Sequence, residues 1–228
     1  MGITYHRDLV QGSEEWAAAR CGLLCASEMK LIMTAKTLKA AENDACRAHV
    51  FELLAQRITR YVEPRYVSDD MLRGTEDEIE ARQIYVAQYE PIEEVGFVTN
   101  DSWGFTLGYS PDGLVGRRGL WECKSRRQRF QVETILGGVM PADFVLQCQT
   151  GLLVTEREWL DFSSYSGGLP MVTIRVFPDE VVQAAILEAA EAFEAQVERR
   201  LATYRAILEQ NERRLVPTER RVEMEMYA

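Results

Sequence analysis

The sequence predicts an α/β (α+β) domain in which a mixed central sheet is flanked by helices. Three observations carry this expectation. Apolar residues recur in steps of three and four over residues 41–60 and again after residue 178, as on helices packed by one face. Strand-like runs bounded by turn residues occupy 94–109 and 159–177. In order, the chain reads helices, strands, a helix, two strands and a long helix.

Ser13, followed by Glu14-Glu15-Trp16, offers an N-cap with acids in the first turn, so a helix is predicted over 12–20, ended by Cys21-Gly22. A second start follows at Ala26-Ser27-Glu28 and leads into Met29, Ile32 and Met33. Taken alone, Arg20 is a solvated helix end and Ser27 a cap. Cys46, Val50, Leu53, Leu54 and Ile58 form the stripe of the 41–60 helix, with His49 beside it. Only His6 and His49 are present, which excludes a histidine metal cluster or a His-based triad. Pro64 and Ser68-Asp69-Asp70 mark a loop, and after Arg73-Gly74 a helix is expected from Glu76 to Tyr89. Spacing does not single out one of its acids, Glu76, Asp77, Glu78 and Glu80.

Strands are expected at 94–99 and 103–109, with Asn100-Asp101 as their turn. Gly137-Gly138 and Pro141 break the chain. From Ala142 an apolar helix runs through Phe144, Leu146, Leu152 and Val154, carrying Gln147 and Gln149. A buried amide needs partners, so either glutamine faces a polar site or is a satisfied core residue. Two strands, 159–165 and 171–177, are joined by Gly167-Gly168-Leu169-Pro170. Pro178-Asp179-Glu180 opens a long helix striped by Val182, Ile186, Ala190, Phe193, Val197, Leu201, Tyr204 and Leu208. Residues 1–216 are read as a single domain and 217–228 as a charged tail.

No run of about 18 apolar residues exists, so no membrane helix is expected, and the N-terminal stretch lacks the succession of a signal peptide. The five cysteines, with no C-x-x-C pair, read as reduced core residues of a cytosolic protein. The net charge of −10 counts against nucleic acid as a partner, although Arg126, Arg127 and Arg129 form a local basic cluster and the acids fall in separate blocks.

Ser110-Pro111-Asp112-Gly113, followed by Leu120-Trp121-Glu122-Cys123-Lys124-Ser125, is where chemistry concentrates. On a strand, Glu122 and Lys124 share one face while Trp121 and Cys123 take the other. A hairpin through Gly113, Gly116 and Gly119 brings Asp112 beside Glu122. Two acidic oxygens and an ammonium on one surface suit a hard divalent cation and a phosphate. Asp112, Glu122 and the main-chain carbonyl of Cys123 would hold Mg²⁺ or Mn²⁺, and Lys124 would orient water and balance charge. The plain alternative is a surface hairpin with a cross-strand ion pair.

These two blocks resemble the PD-(D/E)XK nuclease signature. With Trp16-x-x-x-Arg20-x-Gly22, Ala26-Ser27-Glu28, Gly74-x-x-x-Glu78 and Gln147-x-Gln149, the chain is similar to the phage lambda exonuclease type of viral recombination nuclease over most of its length, the match weakening after about residue 178. The resemblance implies a restriction-endonuclease-like core. It implies an Mg²⁺-dependent exonuclease, with two ions per site, that degrades the 5′ strand of linear duplex DNA to mononucleotides and leaves 3′ overhangs. It adds Glu78 as the extra acid and puts Gln147 near the lysine. Arg20, Ser27 and Ser110 become a pocket for the terminal 5′-phosphate, with Arg126, Arg127 or Arg129 as a further arginine. Met71 falls in a loop that inserts an apolar wedge at the duplex fork. The relatives form a homotrimeric ring around DNA and work with a single-strand annealing protein in the cytoplasm of a phage-infected or lysogenic bacterial host. A ring would hold an acidic protein on DNA by topology. A structure-specific or restriction-like endonuclease of the same fold, and a non-catalytic DNA-binding subunit, are the alternatives.

Overall fold

The computed structural model of the chain describes residues 2–64, 68–210 and 213–220. Its elements run β1 (Ile3–His6), α1 (Glu14–Arg20), β2 (Leu24–Cys25), a 3₁₀ turn (Ala26–Glu28), α2 (Met29–Ile32), β3 (Met33–Thr34), β4 (Lys39–Ala40), α3 (Asp44–Thr59), α4 (Asp69–Gln88), β5 (Ile92–Glu93), β6 (Phe97–Asn100) and β7 (Leu107–Tyr109). There follow β8 (Gly113–Val115), β9 (Gly119–Ser125), α5 (Gln128–Gly137), a second 3₁₀ turn (Ala142–Phe144), α6 (Val145–Thr155), β10 (Trp159–Tyr165), β11 (Val172–Val176) and α7 (Glu180–Gln210).

The expected α/β class holds, with one refinement: the strands divide between two main mixed sheets. One has the order β1-β6-β7-β2 and the other β11-β10-β9-β8-β5, while β3 and β4 pair apart. The chain passes from the first sheet to the second between β7 and β8, through Ser110-Pro111-Asp112. Pro111 has no N–H to continue a ladder, so the crossing falls where pairing is already weakest. In the second sheet β9 is antiparallel to β8 and parallel to β10.

Alternation along β9 sorts its side chains between two cores. Leu120 joins the large core with Phe162, Leu146, Leu152, Ile186 and Phe193. Trp121 and Cys123 join a smaller core with Ala81, Tyr85 and Tyr165. The sheet is thus covered by α6 and α7 on one face and by α4 on the other. Beneath α4, buried Asp161 accepts from the Tyr85 hydroxyl at 2.6 Å and takes both arms of Arg175 at 2.8 Å each. At the opposite end Arg57 holds α3 to α7 through both oxygens of Glu194, at 2.8 and 2.7 Å. The same side chain donates to the Gly22 carbonyl at 2.8 Å, and the Gly22 amide donates to Gln56 at 2.8 Å. Gly22 turns with φ +74°, so the end of α1 is clamped onto α3.

Three expectations need correction. Asp69 and Asp70 are not loop residues but the opening of α4, because Ser68 caps that helix by accepting from the Met71 amide at 3.3 Å. The helix then runs straight through Gly74, whose cost of about 1 kcal/mol in a helix interior is outweighed by the packed turns that follow. Met71 therefore lies on the first turn of α4 and not in a loop; its side chain is exposed. Finally, α5 is an additional helix. It turns Gln131 and Thr134 inward and leaves Val132, Ile135 and Leu136 exposed, the reverse of the usual apolar pattern. The cysteines are free, and all but the partly exposed Cys21 are buried.

Gly119 sits opposite Trp159 in the β9–β10 register, and a Cβ there would meet the indole ring at 2.1 Å. The same indole carries the Arg175 guanidinium, 3.7 Å from the ring centre. Gly119→Ala is expected to lower stability by about 1–3 kcal/mol, the usual cost of overpacking, read as a drop in the midpoint of urea unfolding at unchanged m-value.

Candidate active site

Glu122 is fully buried and ionisable, a combination that demands partners. It has three. Lys124 Nζ and Gln147 Nε2 both donate to Oε1, each at 2.6 Å, and the Tyr109 hydroxyl donates to Oε2 at 2.6 Å. These donors come from β9, α6 and β7 respectively. Gln147 therefore faces the polar site, whereas Gln149 is a satisfied core residue. Its amide donates to the Phe177 carbonyl and accepts from the Asp179 amide at the start of α7.

Asp112 lies just beyond the last β8–β9 pair, Gly113 with Trp121, which sets it across from Glu122. Past that pair the β8-side edge of β9 is open, and the Cys123 amide donates to Asp112 Oδ2 at 2.7 Å instead of to a strand. Because N–H and C=O of one strand residue face the same edge, the Cys123 carbonyl is turned toward Asp112 as well. Glu78 approaches from α4, held by Arg82. One Arg82 nitrogen, Nη2, donates to Glu78 Oε1 at 2.8 Å and to the Asp112 carbonyl at 2.9 Å, and the other is paired with Glu94.

This crowding shows in proton affinities. Burial, then the Glu122 charge, holds the Asp112 carboxyl well above the usual range, against the pull of Lys124 and the Cys123 amide. Burial opposes the Lys124 ammonium, but Glu122 and Asp112 outweigh it and raise its pKa, so it stays charged. Burial, followed by the same carboxylates, raises the Tyr109 hydroxyl and the thiols of Cys123 and Cys148, which keeps both sulfurs in their poorly reactive protonated form.

Would these residues suit a divalent cation? Among the described residues no three His, Cys, Asp or Glu side chains converge as a complete ligand set. What is present is two carboxylates and a main-chain carbonyl, all hard oxygen donors. Such a partial set fits Mg²⁺, which retains several waters and relieves repulsion between acids. The donor set and its unneutralised crowding therefore fit the ion.

The remaining expected residues fall in two places. Arg20 Nη1 donates to Ser110 Oγ at 3.0 Å, and Trp16 Nε1 donates to the same oxygen at 2.9 Å. The guanidinium carbon lies 4.4 Å from the Trp16 ring centre. Ser27 is exposed on the 3₁₀ turn. It stands two residues beyond Cys25, which pairs with Gly108 in the parallel β2–β7 ladder, as Ser110 stands two beyond Gly108. The arginines after Lys124 separate. Arg126 lies 5.1 Å from the Phe144 ring centre, the ring that Lys124 Nζ approaches at 6.0 Å. Arg127 stands at the N-terminal boundary of α5 and, with Arg126, Arg73, Asp77 and Ser166, lines a concavity of about 450 Å³. Arg129 is exposed and lies over Phe130. Met71 is on the outer surface of α4.

Two residues of this site were not anticipated from the sequence. Arg82 could have been found as the i+4 partner of Glu78. Tyr109 had only its position before Ser110-Pro111-Asp112 to mark it.

Residues 15–158 match the YqaJ-like viral recombinase domain. The crystal structure of an alkaline exonuclease from Laribacter hongkongensis, LHK-Exo, is 32% identical, with a TM-score of 0.78 over 87% of this chain and all (100%) of that one. Its complex with dAMP gives the same values, 32%, 0.78, 87% and 100%. A phage-related exonuclease from Haemophilus somnus shares the fold, at 12% identity and a TM-score of 0.62 over 80% of this chain and 96% of that one. No curated protein sequence matches the chain.

Since Asp112 is harder to ionise in the folded chain than in the unfolded one, its contribution to stability is present below the ordinary carboxylate pKa and is lost as pH rises toward the raised value. Asp112→Asn, which keeps an acceptor for the Cys123 amide, is expected to raise Tm by about 2–4 °C in EDTA at pH 7–8, some 1 kcal/mol, and by much less near pH 4. Mg²⁺ should then stabilise the parent chain in calorimetry and leave Asp112→Asn unmoved.

Proposed function

The chain belongs to the YqaJ-like viral recombinase family, and from that premise we propose that it is an Mg²⁺-dependent 5′-to-3′ exonuclease of the PD-(D/E)XK type acting on linear duplex DNA. The observation that carries the reading is the convergence of Asp112, Glu122, Lys124 and Gln147, with Glu78 at its edge, on one half-buried point between the sheets. Residues 1–216 act as the nuclease unit in this reading.

Mg²⁺, replaceable by Mn²⁺ and read as two ions, would supply an activated water and neutralise phosphoryl oxygens when bound. Asp112, Glu122 and the Cys123 carbonyl would hold it. Lys124, anchored on Glu122 Oε1, orients the water and offsets negative charge developing on the phosphate. Gln147 shares that oxygen and fixes the carboxylate plane. Glu78, set by Arg82, is the further acid.

The second cluster supports the choice of the 5′ strand. Arg20 and Ser110 hold a terminal 5′-phosphate, with Ser27 beside them on the neighbouring strand end. Of the arginines after the lysine, Arg126 is favoured as their companion because it shares the Phe144 ring with Lys124. Ser110 is two residues from Asp112, so seating the phosphate there sets the register of the scissile bond. Met71 is exposed on α4 and serves as an apolar wedge at the fork in this reading. Mononucleotide release is supported by the dAMP complex of LHK-Exo. In this reading the chain forms a homotrimeric ring, as the resemblance implies, and the 3′ overhang would pass to a single-strand annealing protein in the cytoplasm of a bacterial host. No helix among the described residues is long and apolar enough to cross a membrane.

On linear duplex DNA labelled on one strand at a time, the 5′-terminated strand is expected to be lost with Mg²⁺ present, while a covalently closed circle survives. Cutting of the circle would instead favour a restriction-like endonuclease. Lys124→Ala should slow digestion by at least about 10²–10³-fold and leave binding of DNA ends in place. Removing the 5′-phosphate should slow the parent enzyme, and Arg20→Ala should abolish the difference between phosphorylated and dephosphorylated ends. A full phosphate preference in Arg20→Ala would refute the assignment of that pocket.

A further inference from the structure

Glu122 is 0% exposed, so a cation reaches it only through lone pairs its neighbours leave open. A carboxylate offers about four acceptor positions, two on each oxygen. Lys124 and Gln147 fill both positions on Oε1 at 2.6 Å each. On Oε2 the Tyr109 hydroxyl fills one, also at 2.6 Å, and leaves one. Oε2 is therefore the oxygen with capacity for a metal, and Tyr109 decides where its remaining lone pair points.

What places that hydroxyl is the helix behind it. Tyr109 is 1% exposed, and its ring lies against the backbone of α6 at Gly151. A Cβ on Gly151 would meet Tyr109 Cζ at 2.7 Å and Cε1 at 2.8 Å. Glycine in a helix interior costs about 1 kcal/mol relative to alanine. Here the missing side chain is what allows the ring its depth, and with it the reach of the hydroxyl to Oε2.

Resting on the metal-dependent reading above, we propose that Tyr109 is a positioning residue for the metal ligand Glu122, with Gly151 setting the depth of its ring. Lys124 and Gln147 tie down only one oxygen of Glu122. The Tyr109 hydroxyl ties down the other and presents its last lone pair in a fixed direction. Partners of this kind, one step removed from a metal, typically change affinity by about 10–100-fold when removed. The ring of Tyr109 would remain in Tyr109→Phe, so packing is kept and the hydroxyl alone is lost.

The test is Mn²⁺ binding to the full chain without DNA, by titration calorimetry and by the loss of the free Mn²⁺ electron-spin signal. Tyr109→Phe is expected to bind Mn²⁺ at least about 10-fold more weakly than the parent, with an unchanged circular-dichroism spectrum. Gly151→Ala should weaken binding in the same sense. In the double variant the two losses should not add, because the hydroxyl that Gly151→Ala displaces is already gone. Parental Mn²⁺ affinity in Tyr109→Phe would overturn the role of Tyr109 while leaving the metal site intact. Additive losses would overturn the role of Gly151. If the parent chain itself failed to bind Mn²⁺, the metal-dependent reading would fall, and this proposal with it.

Discussion

The buried charge of Glu122 is the constraint around which the molecule is assembled. An ionised carboxylate removed from water is tolerated only when its lone pairs are met, and breaking a buried pair typically costs about 3–5 kcal/mol. The three groups that meet it do not come from one element. Tyr109 belongs to the β1-β6-β7-β2 sheet, Lys124 to the other large sheet, and Gln147 to the helix packed beside them. Satisfying one side chain therefore fixes two sheets and α6 relative to one another. A core built only for stability would have used an apolar residue at this position, since replacing such a buried network by well-packed hydrophobic side chains is often neutral or favourable. In the reading proposed above, the charge is retained because it serves the site.

Asp112 imposes the second constraint. It stands where the chain leaves one sheet for the other, at a Pro-containing crossing that frees an edge of β9. That freed edge gives the Cys123 amide to Asp112 and turns the neighbouring carbonyl the same way. Arg82 then grips the Asp112 backbone and Glu78 together, so α4 is registered against the crossing. The result is a set of acids whose repulsion is only partly compensated by Lys124. A bound cation would relieve this repulsion in the reading proposed above, and without one the rest of the fold has to absorb it.

Much of this was legible in the sequence because it is local. The Ser13 cap, the three-and-four stripe of α7 and the alternation of Leu120, Trp121, Glu122 and Cys123 depend on neighbours within a turn or a strand. The hairpin that brings Asp112 to Glu122 is likewise short. What was hidden depends on distance or on reversed polarity. Tyr109 acquires its meaning from Glu122 across a sheet boundary and from Gly151 on a helix more than forty residues away, and nothing in its own segment signals either. Helix α5 was missed because the side it buries is polar: Gln131 donates to the Ser164 and Pro170 carbonyls and accepts from the Ser164 hydroxyl. The start of α4 was misplaced because Gly74 reads as a break, whereas Ser68 supplies a cap two turns earlier. Glu78 could not be told from its acidic neighbours by spacing, and it is set apart in the structure by sharing Arg82 with Asp112.

The partition of arginines lets a chain of net charge −10 keep some guanidinium groups clear of its acids. Arg57, Arg82, Arg118 and Arg175 are paired with carboxylates and spend their charge holding elements together. Arg20 and Arg126 are held differently. Among the described residues neither is paired with a carboxylate, and each guanidinium is restrained by aromatic faces: Trp16 and Phe97 for Arg20, Phe130 and Phe144 for Arg126. Stacking fixes a guanidinium without neutralising it, and a planar fork fixed in advance loses less freedom when it takes up an anion. The overall charge thus describes the outside of the molecule. At Arg20 and Arg126 the positive charge is held in place by rings and not by acids.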